Sequence, residues 1–429
     1  MELIQPNIKK LKIIEFLPTI SWFLFMVLPF IVQFNYFYPA TRAIQTANVL
    51  IIFIALLFID IFFYKKPVNK IPLMNASLLK KIYLLLIIST ALILNNLMSL
   101  KEIPIFNIFS NQDLYVLRNE ATKNTQIPNF YKYLLNGVSN LLLPLLLVIF
   151  YRLKKYSIFI PLLFLAIIYS IHSLSKFPLI LMLFSFIVLI TFFEKSNFLL
   201  KNLKRISIFF LIYISILGIY DLSKKYEIPK YINENLTVRP KILLDHKLNY
   251  NSIADDFRFK KIHAYKGSFY SYKDRTYEKI KIYLYYPYYR FFLTPSDVSS
   301  RWYQYFSDKK LILFGDYIKH IDKEKPSRIV SNWAYNSKSP EGYPLSNNAN
   351  ASFDADAYVR FGFFGVISSL LIIFLLRFVA FKYSNRNIVS KLSYFIFVIN
   401  LSFFMPSASI AAIFLAQALL LNIFLVIFI

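Results

Sequence analysis

Ten apolar runs, each long enough to cross a bilayer or close to it, constrain this chain more than any other feature. They lie near 13–34, 48–64, 81–99, 134–151, 157–173, 177–193, 206–221, 359–380, 389–405 and 408–428. A helix rises about 1.5 Å per residue, so about 20 apolar residues cover a hydrocarbon core of about 30 Å. Backbone inside lipid must satisfy its own hydrogen bonds, which leaves helices as the economical solution. The expected fold class is therefore an all-α membrane protein, a polytopic bundle of about 10 transmembrane helices. A mean hydropathy of +0.50 and a hydrophobic share of 57% place the chain outside the soluble range. The segment Asn7-Ile8-Lys9-Lys10-Leu11-Lys12 has the form of a signal-peptide head. The apolar run behind it is long enough to span, so an uncleaved first helix is expected.

Sidedness follows from the short connections. With the N-terminus inside, the inner segments carry 19 Lys and Arg, among them Lys65, Lys66, Arg152, Lys154, Lys155, Arg377, Lys382, Arg386 and Lys391. The short outer ones carry about six: Arg42, Lys101, Arg118, Lys123, Lys132 and Lys176. This alternation puts both termini in the cytoplasm and two larger loops outside. The formal charge of +26 is then accounted for by cytoplasmic loops and anionic lipid, and no nucleic-acid partner is expected. Cysteine is absent, which excludes disulfides and thiolate metal sites.

The domain organisation expected is transmembrane helices 1–7 over residues 1–221, with a smaller outer loop at about 100–133. A large extracytoplasmic loop follows over 222–356, and helices 8–10 occupy 357–429. The large loop holds 23 Lys and Arg, 15 Asp and Glu, and 17 of the 32 tyrosines. So many aromatics exceed what a solvated domain needs. Residues 283–293, too short to span and broken by Pro287, read as an interfacial or re-entrant helix. Pyranose rings stack on aromatic faces, while Arg and Asp bond hydroxyls, so this stretch also suits a sugar.

An outer membrane face offers neither ATP nor nucleotide sugars. An activated donor must arrive through the bilayer, and a lipid diphosphate is the obvious one. Planar guanidinium groups best stabilise its multiply charged leaving group. Arg290 and Arg301 flank the aromatic core, Arg118 lies in the smaller loop, and Arg360 opens a membrane helix ahead of Gly362 and Gly365. Asp354 and Asp356 are candidates for the general base. Their DxD spacing also suits helix capping or an Arg partner. His172 and Lys176 sit at the outer mouth of the fifth and sixth helices, where ionisable groups are costly to keep. Tyr289, Tyr303, Tyr305 and Asn350 complete the candidate substrate-binding set. Glu15 and Asp60 fall near cytoplasmic helix ends and read as interfacial. The histidines are scattered, and neither a phosphate-binding glycine loop, a Ser-His-Asp order nor a zinc motif occurs. No metal and no cofactor are expected.

Four patterns, taken in order, resemble those of the O-antigen polymerase family, the Wzy-type oligosaccharide repeat-unit polymerases. They are Leu117-Arg118-Asn119-Glu120; Ser173-Leu174-Ser175-Lys176; Arg290-Phe291-Phe292-Leu293-Thr294-Pro295 followed by Tyr303-Gln304-Tyr305-Phe306; and Asn348-Ala349-Asn350 through Asp356, then Phe361-Gly362-Phe363-Phe364-Gly365. The likeness runs from about residue 80 to 429. It departs from the family in one respect. Some members place a glycine shortly after an outer-loop arginine, whereas the next glycine after Arg118 is Gly137. The resemblance implies a metal-independent glycosyltransferase of the bacterial inner membrane. It would transfer an undecaprenyl-diphosphate-linked oligosaccharide to the terminal hydroxyl of another, building O-antigen or capsule. Arg290 and Arg118 would hold the diphosphate, with Asp354 or Asp356 as base. The expected partners are that lipid-linked oligosaccharide, the lipid bilayer and a chain-length regulator. An O-antigen ligase fits less well, because Asn348-Ala349-Asn350 lacks the histidine of that family's loop end. A flippase or transporter is disfavoured by the few broken helices and intramembrane charges legible in the sequence. A non-catalytic scaffold is a further class.

Overall fold

The computed structural model describes residues 12–32, 39–66, 74–100, 128–172, 177–193, 294–306, 326–327, 329–330 and 350–429. Among these there is no strand. Ten helices follow in order: α1 (Lys12–Ile31), α2 (Pro39–Lys65), α3 (Ala76–Ser99), α4 (Phe130–Arg152), α5 (Tyr156–Ile171), α6 (Phe177–Phe193), α7 (Thr294–Phe306), α8 (Phe353–Ser384), α9 (Ile388–Phe404) and α10 (Leu419–Phe428). Five of them, α1, α2, α3, α4 and α8, are long and apolar enough to cross a membrane; α5, α6, α9 and α10 are shorter apolar helices. Nine of the ten apolar runs thus carry helix, and the run near 206–221 lies outside the described residues.

Local chemistry sets the ends. Asn75 and Asn387 cap α3 and α9, their side-chain oxygens accepting from the Leu78 and Ser390 amides at 2.8 and 2.9 Å. Between α4 and α5 the Lys155 amide reaches the Phe150 carbonyl and the Lys154 amide the Tyr151 carbonyl, both at 3.1 Å. That is a Schellman ending, with Lys154 left-handed (φ 55°) where glycine is usual.

Helices α4 and α9 form the centre: residues 138–150 and 388–402 are buried without interruption. The outward faces of α2, α3 and α8 instead expose large apolar side chains, such as Phe58, Ile87, Met98 and Phe364. In water such faces would aggregate; against lipid tails they cost nothing.

Helices α2 and α8 run parallel and are fastened to one another at two levels. At their C-terminal ends Arg377 of α8 is fully buried. Its Nη2 donates to the Glu15 carboxylate and to the Glu15 carbonyl, both at 2.8 Å, and its Nη1 bonds the Asp60 carboxylate. The Thr19 amide donates to Asp60 at 3.0 Å and the Tyr394 hydroxyl to Glu15 at 2.7 Å. Glu15 and Asp60 are therefore not interfacial, as the sequence suggests. They are buried members of an ion-pair network joining α1, α2, α8 and α9. Arg377 and Lys391 likewise lie inside helices rather than in a connection. Basic residues of the short connections gather at this same end. Lys12 donates to the Tyr64 and Lys66 carbonyls at 2.9 Å, and Arg386 to the Ile427 carbonyl at 2.8 Å. Lys81 reaches the Phe428 carbonyl at 3.3 Å, and Lys155 bonds the Tyr83 hydroxyl.

Two apolar runs that read as continuous are broken. Helix α8 bends at Gly362, whose φ of 62° and ψ of −150° are not helical. A Cβ on Gly365 would stand 2.2 Å from the Ala357 carbonyl oxygen. In a straight helix residues eight apart are about 12 Å apart along the axis. The two glycines thus let the pieces fold close upon one another. The last run breaks at Gln417 and Ala418, between a π turn (Ala412–Ala416) and α10, with Ala418 left-handed.

Candidate functional site

The candidate site lies at the bundle end opposite the basic cluster, where α7 is seated on α2 and on the first turns of α8. Its sequence, TPSDVSSRWYQYF, is polar except for Val298 and the aromatics, yet residues 296–303 are buried. The seat is a pair of matched rungs. On α7, Ser300 and Tyr303 stand three apart; on α2, Gln45 and Asn48 do the same, so each pair shares a helix face. The Gln45 amide donates to Ser300 Oγ at 2.8 Å, and Ser300 Oγ lies 2.9 Å from the Gln45 carbonyl oxygen. The Asn48 amide donates to Tyr303 Oη at 2.8 Å.

The Tyr303 hydroxyl in turn donates to Asp354 of α8 at 2.9 Å. The other Asp354 oxygen accepts from Ser352 Oγ, and Ser352 shares a 2.6 Å hydroxyl contact with Ser299 of α7. Asp354 lies in the first turn of α8, where a carboxylate also suits the positive end of the helix dipole. Burial, and next the charge of Asp354, push the Tyr303 phenol well above its ordinary value. The phenol therefore stays protonated and donating at physiological pH. Around these bonds Val298, Trp302, Val330, Ala351, Ala355 and Val359 form a second, smaller core, and Tyr303 packs on Tyr358 with ring centroids 5.1 Å apart.

The structure brings together Asp354, Asp356, Arg301, Arg360, Tyr303 and Tyr305 on the neighbouring elements α7 and α8. Asp356 and Arg360 form a buried i,i+4 pair at 3.0 Å, and Asp297 and Arg301 a second at 3.4 Å. Asp354 and Asp356, two apart on a helix, turn to different partners; the DxD spacing here serves a hydrogen-bond seat and an Arg pair. Among the described residues no group of acidic and histidine side chains is placed to hold a metal. Tyr305 is half-buried against Phe306, and Asn350 is exposed just ahead of α8. His172 ends α5, its ring stacked 5.0 Å from Tyr169 and its Nδ1 on the Tyr169 carbonyl; α5 packs on α4 and α6, not on α7. Arg118, Arg290, Tyr289 and Lys176 lie outside the described residues.

Sequence reasoning missed Gln45, Asn48, Ser299, Ser300 and Ser352. The one available signal was a pair of amides three apart at the start of an otherwise apolar helix, since amides at such depth need partners.

A bundle of apolar helices with lipid-ready faces, closed at one end by a polar seat, defines a helical membrane protein. Compared with known proteins, the chain matches no family model, no curated protein and no solved structure.

Proposed function

We propose that the chain is a metal-independent glycosyltransferase of the bacterial inner membrane. It polymerises undecaprenyl-diphosphate-linked oligosaccharide repeat units into surface polysaccharide. In this reading it has ten spans, both termini are cytoplasmic, and the loop of 222–356 faces outward. The observation that carries it is the seat of α7. This Tyr- and Arg-bearing helix is held by a buried hydrogen-bond network at the end of the bundle away from the clustered Lys and Arg. Cytoplasmic connections hold the positive charge, so the opposite end is the outer one.

Within this reading each residue takes a role. Asp354 has no exposed surface, and both its oxygens accept hydrogen bonds; it is a positioning residue that fixes α7. Asp356 is buried too, paired with Arg360; in this reading it takes the base role when substrate opens that pair. Arg290 and Arg118, outside the described residues, hold the diphosphate in this reading, while Arg301 and Arg360 are held in ion pairs with Asp297 and Asp356.

Replacement of Arg290, Arg118, Asp356 and Arg360 one at a time by Ala or Asn, followed by gel analysis of surface glycan, tests these roles. Loss of the long-chain ladder with single-repeat glycan retained is the expected outcome. A ladder unchanged by every substitution would falsify them. Sidedness is tested separately. Asn350→Cys in this cysteine-free chain should react with a membrane-impermeant thiol reagent added to intact spheroplasts, and labelling only after lysis would reverse the topology.

A flippase is the second reading, and two observations favour it over the sequence view. Helix α10 follows a break within an apolar run, and Glu15, Asp60 and Arg377 are charges buried among spans. Both are features of transporters. Accumulation of inward-facing lipid-linked repeat in a deletion strain would select it.

A further inference from the structure

The break before α10 carries more than a kink. Its Ala418 is left-handed (φ 58°, ψ 29°), a conformation costly for a residue with a Cβ and usually kept at sites where the backbone has a task. The preceding π turn, Ala412–Ala416, is matched by a second π turn in α4, Val138–Leu142. Single π turns are concentrated at functional sites. The two meet through side chains. Asn140 Nδ2 lies 3.5 Å from both the carbonyl and the side-chain oxygen of Gln417. Asn400 of α9 donates to the Asn140 carbonyl at 2.8 Å. Asn140 stands about 15 Å from the start of α4 and about 18 Å from its end, and Asn400 about 6 Å from the end of α9, so this group sits inside the bundle, toward the end away from the basic cluster.

The same three helices carry buried polar atoms with nothing to bond. Asn422, one turn into α10, is 1% exposed, and neither its amide nitrogen nor its oxygen has a partner. Asn400 Oδ1 and Ser139 Oγ are likewise buried and unpartnered. An apolar interior penalises every such atom, and a native membrane protein meets the penalty with water or a ligand. The amides are neutral, and the unmet groups are both donors and acceptors. A hydroxyl is both at once, whereas a cation or an anion would use only one kind.

We propose that α4, α9 and the broken start of α10 enclose a polar pocket inside the bundle that takes hydroxyl groups, those of water or of a sugar ring. The pocket rests on the break and its unbonded amides and is independent of the glycosyltransferase reading.

The native lack of cysteine permits a direct test. Asn422→Cys and Leu419→Cys, in lipid nanodiscs open on both faces, are treated with a charged, membrane-impermeant thiol reagent. A hydrated pocket keeps the thiolate of Asn422→Cys accessible, so it should react about tenfold faster than Leu419→Cys, the effect of one pKa unit on a thiolate. Protection of Asn422→Cys by maltotriose assigns the pocket to sugar; labelling without protection assigns it to water. Equal slow labelling at both positions, with Asn350→Cys on the same preparation reacting freely, would overturn the proposal. If Asn422→Cys does not elute as folded protein, amide hydrogen exchange of the unmodified chain decides. Asn422–Phe424 amides, which are bonded within α10, exchanging faster than those of the middle of α9 support the pocket, and equal protection refutes it.

Discussion

Removing the Arg377 guanidinium alone should be among the most damaging single changes in the described residues. Arg377→Met deletes bonds to Glu15, Asp60 and Tyr394 and strands two carboxylates that have essentially no access to water. Breaking a buried pair by taking one partner costs about 3–5 kcal/mol, because the other charge is left without compensation. Neutralising the whole set is a different perturbation. Glu15→Gln, Asp60→Asn and Arg377→Met together leave no uncompensated charge, and buried ionic clusters replaced as a unit are often neutral in stability. The single variant should melt on the order of 10 °C below wild type, and the triple variant should recover most of that loss. Arg377→Lys should behave like the methionine variant, since a point charge with a flexible stem cannot reach partners on three helices at once. Fluorescence-detected size exclusion of detergent-solubilised protein, heated in steps, measures all four. The reasoning fails if the triple variant melts no higher than the single, or if the single melts with wild type.

Tyr303 makes the site sensitive to alkali. Its raised phenol stabilises the fold fully below the unfolded value near 10, and that contribution is lost as pH climbs above it. Wild type should therefore lose melting temperature between about pH 10 and 11 more steeply than Tyr303→Phe, which should itself be less stable at pH 7 by about 1.5–3 kcal/mol for the bond lost to Asp354; parallel alkaline slopes would sink the assignment. At the bend of α8, Gly365→Ala should destabilise by about 1–3 kcal/mol, because the new Cβ meets the Ala357 carbonyl at 2.2 Å. Gly362→Ala has open space and pays only the conformational strain of a backbone region kept almost entirely to glycine, about 1–3 kcal/mol. Equal melting temperatures for wild type and Gly365→Ala would show that the bend relaxes.

The helices themselves were legible because apolar length is a local property. The run near 177–193 coincides with α6; the pair Gly362 and Gly365 promised close packing but not the bend of α8. What was not legible depended on long-range partners. Asp60 and Arg377 are 317 positions apart, and Asn48 and Tyr303 are 255 apart. Nothing local tells a carboxylate near a helix end whether lipid headgroups or a distant guanidinium will meet it. The break at Gln417 lacks the usual glycine or proline; its bonds from Asn140 come from a helix 277 positions away. Tyr303, by contrast, was singled out for its ring and its neighbourhood, whereas its hydroxyl turned out to knit three helices.

The double fastening of α2 to α8 has a mechanical corollary. Its two rivets, at Asn48 and at Asp60, are about 18 Å apart on one rod, so these helices can neither slide nor splay independently. Any relative movement of the helices must then be supplied by looser joints. The break at Gln417 and Ala418, set opposite the π turn of α4, lies outside that rigid frame.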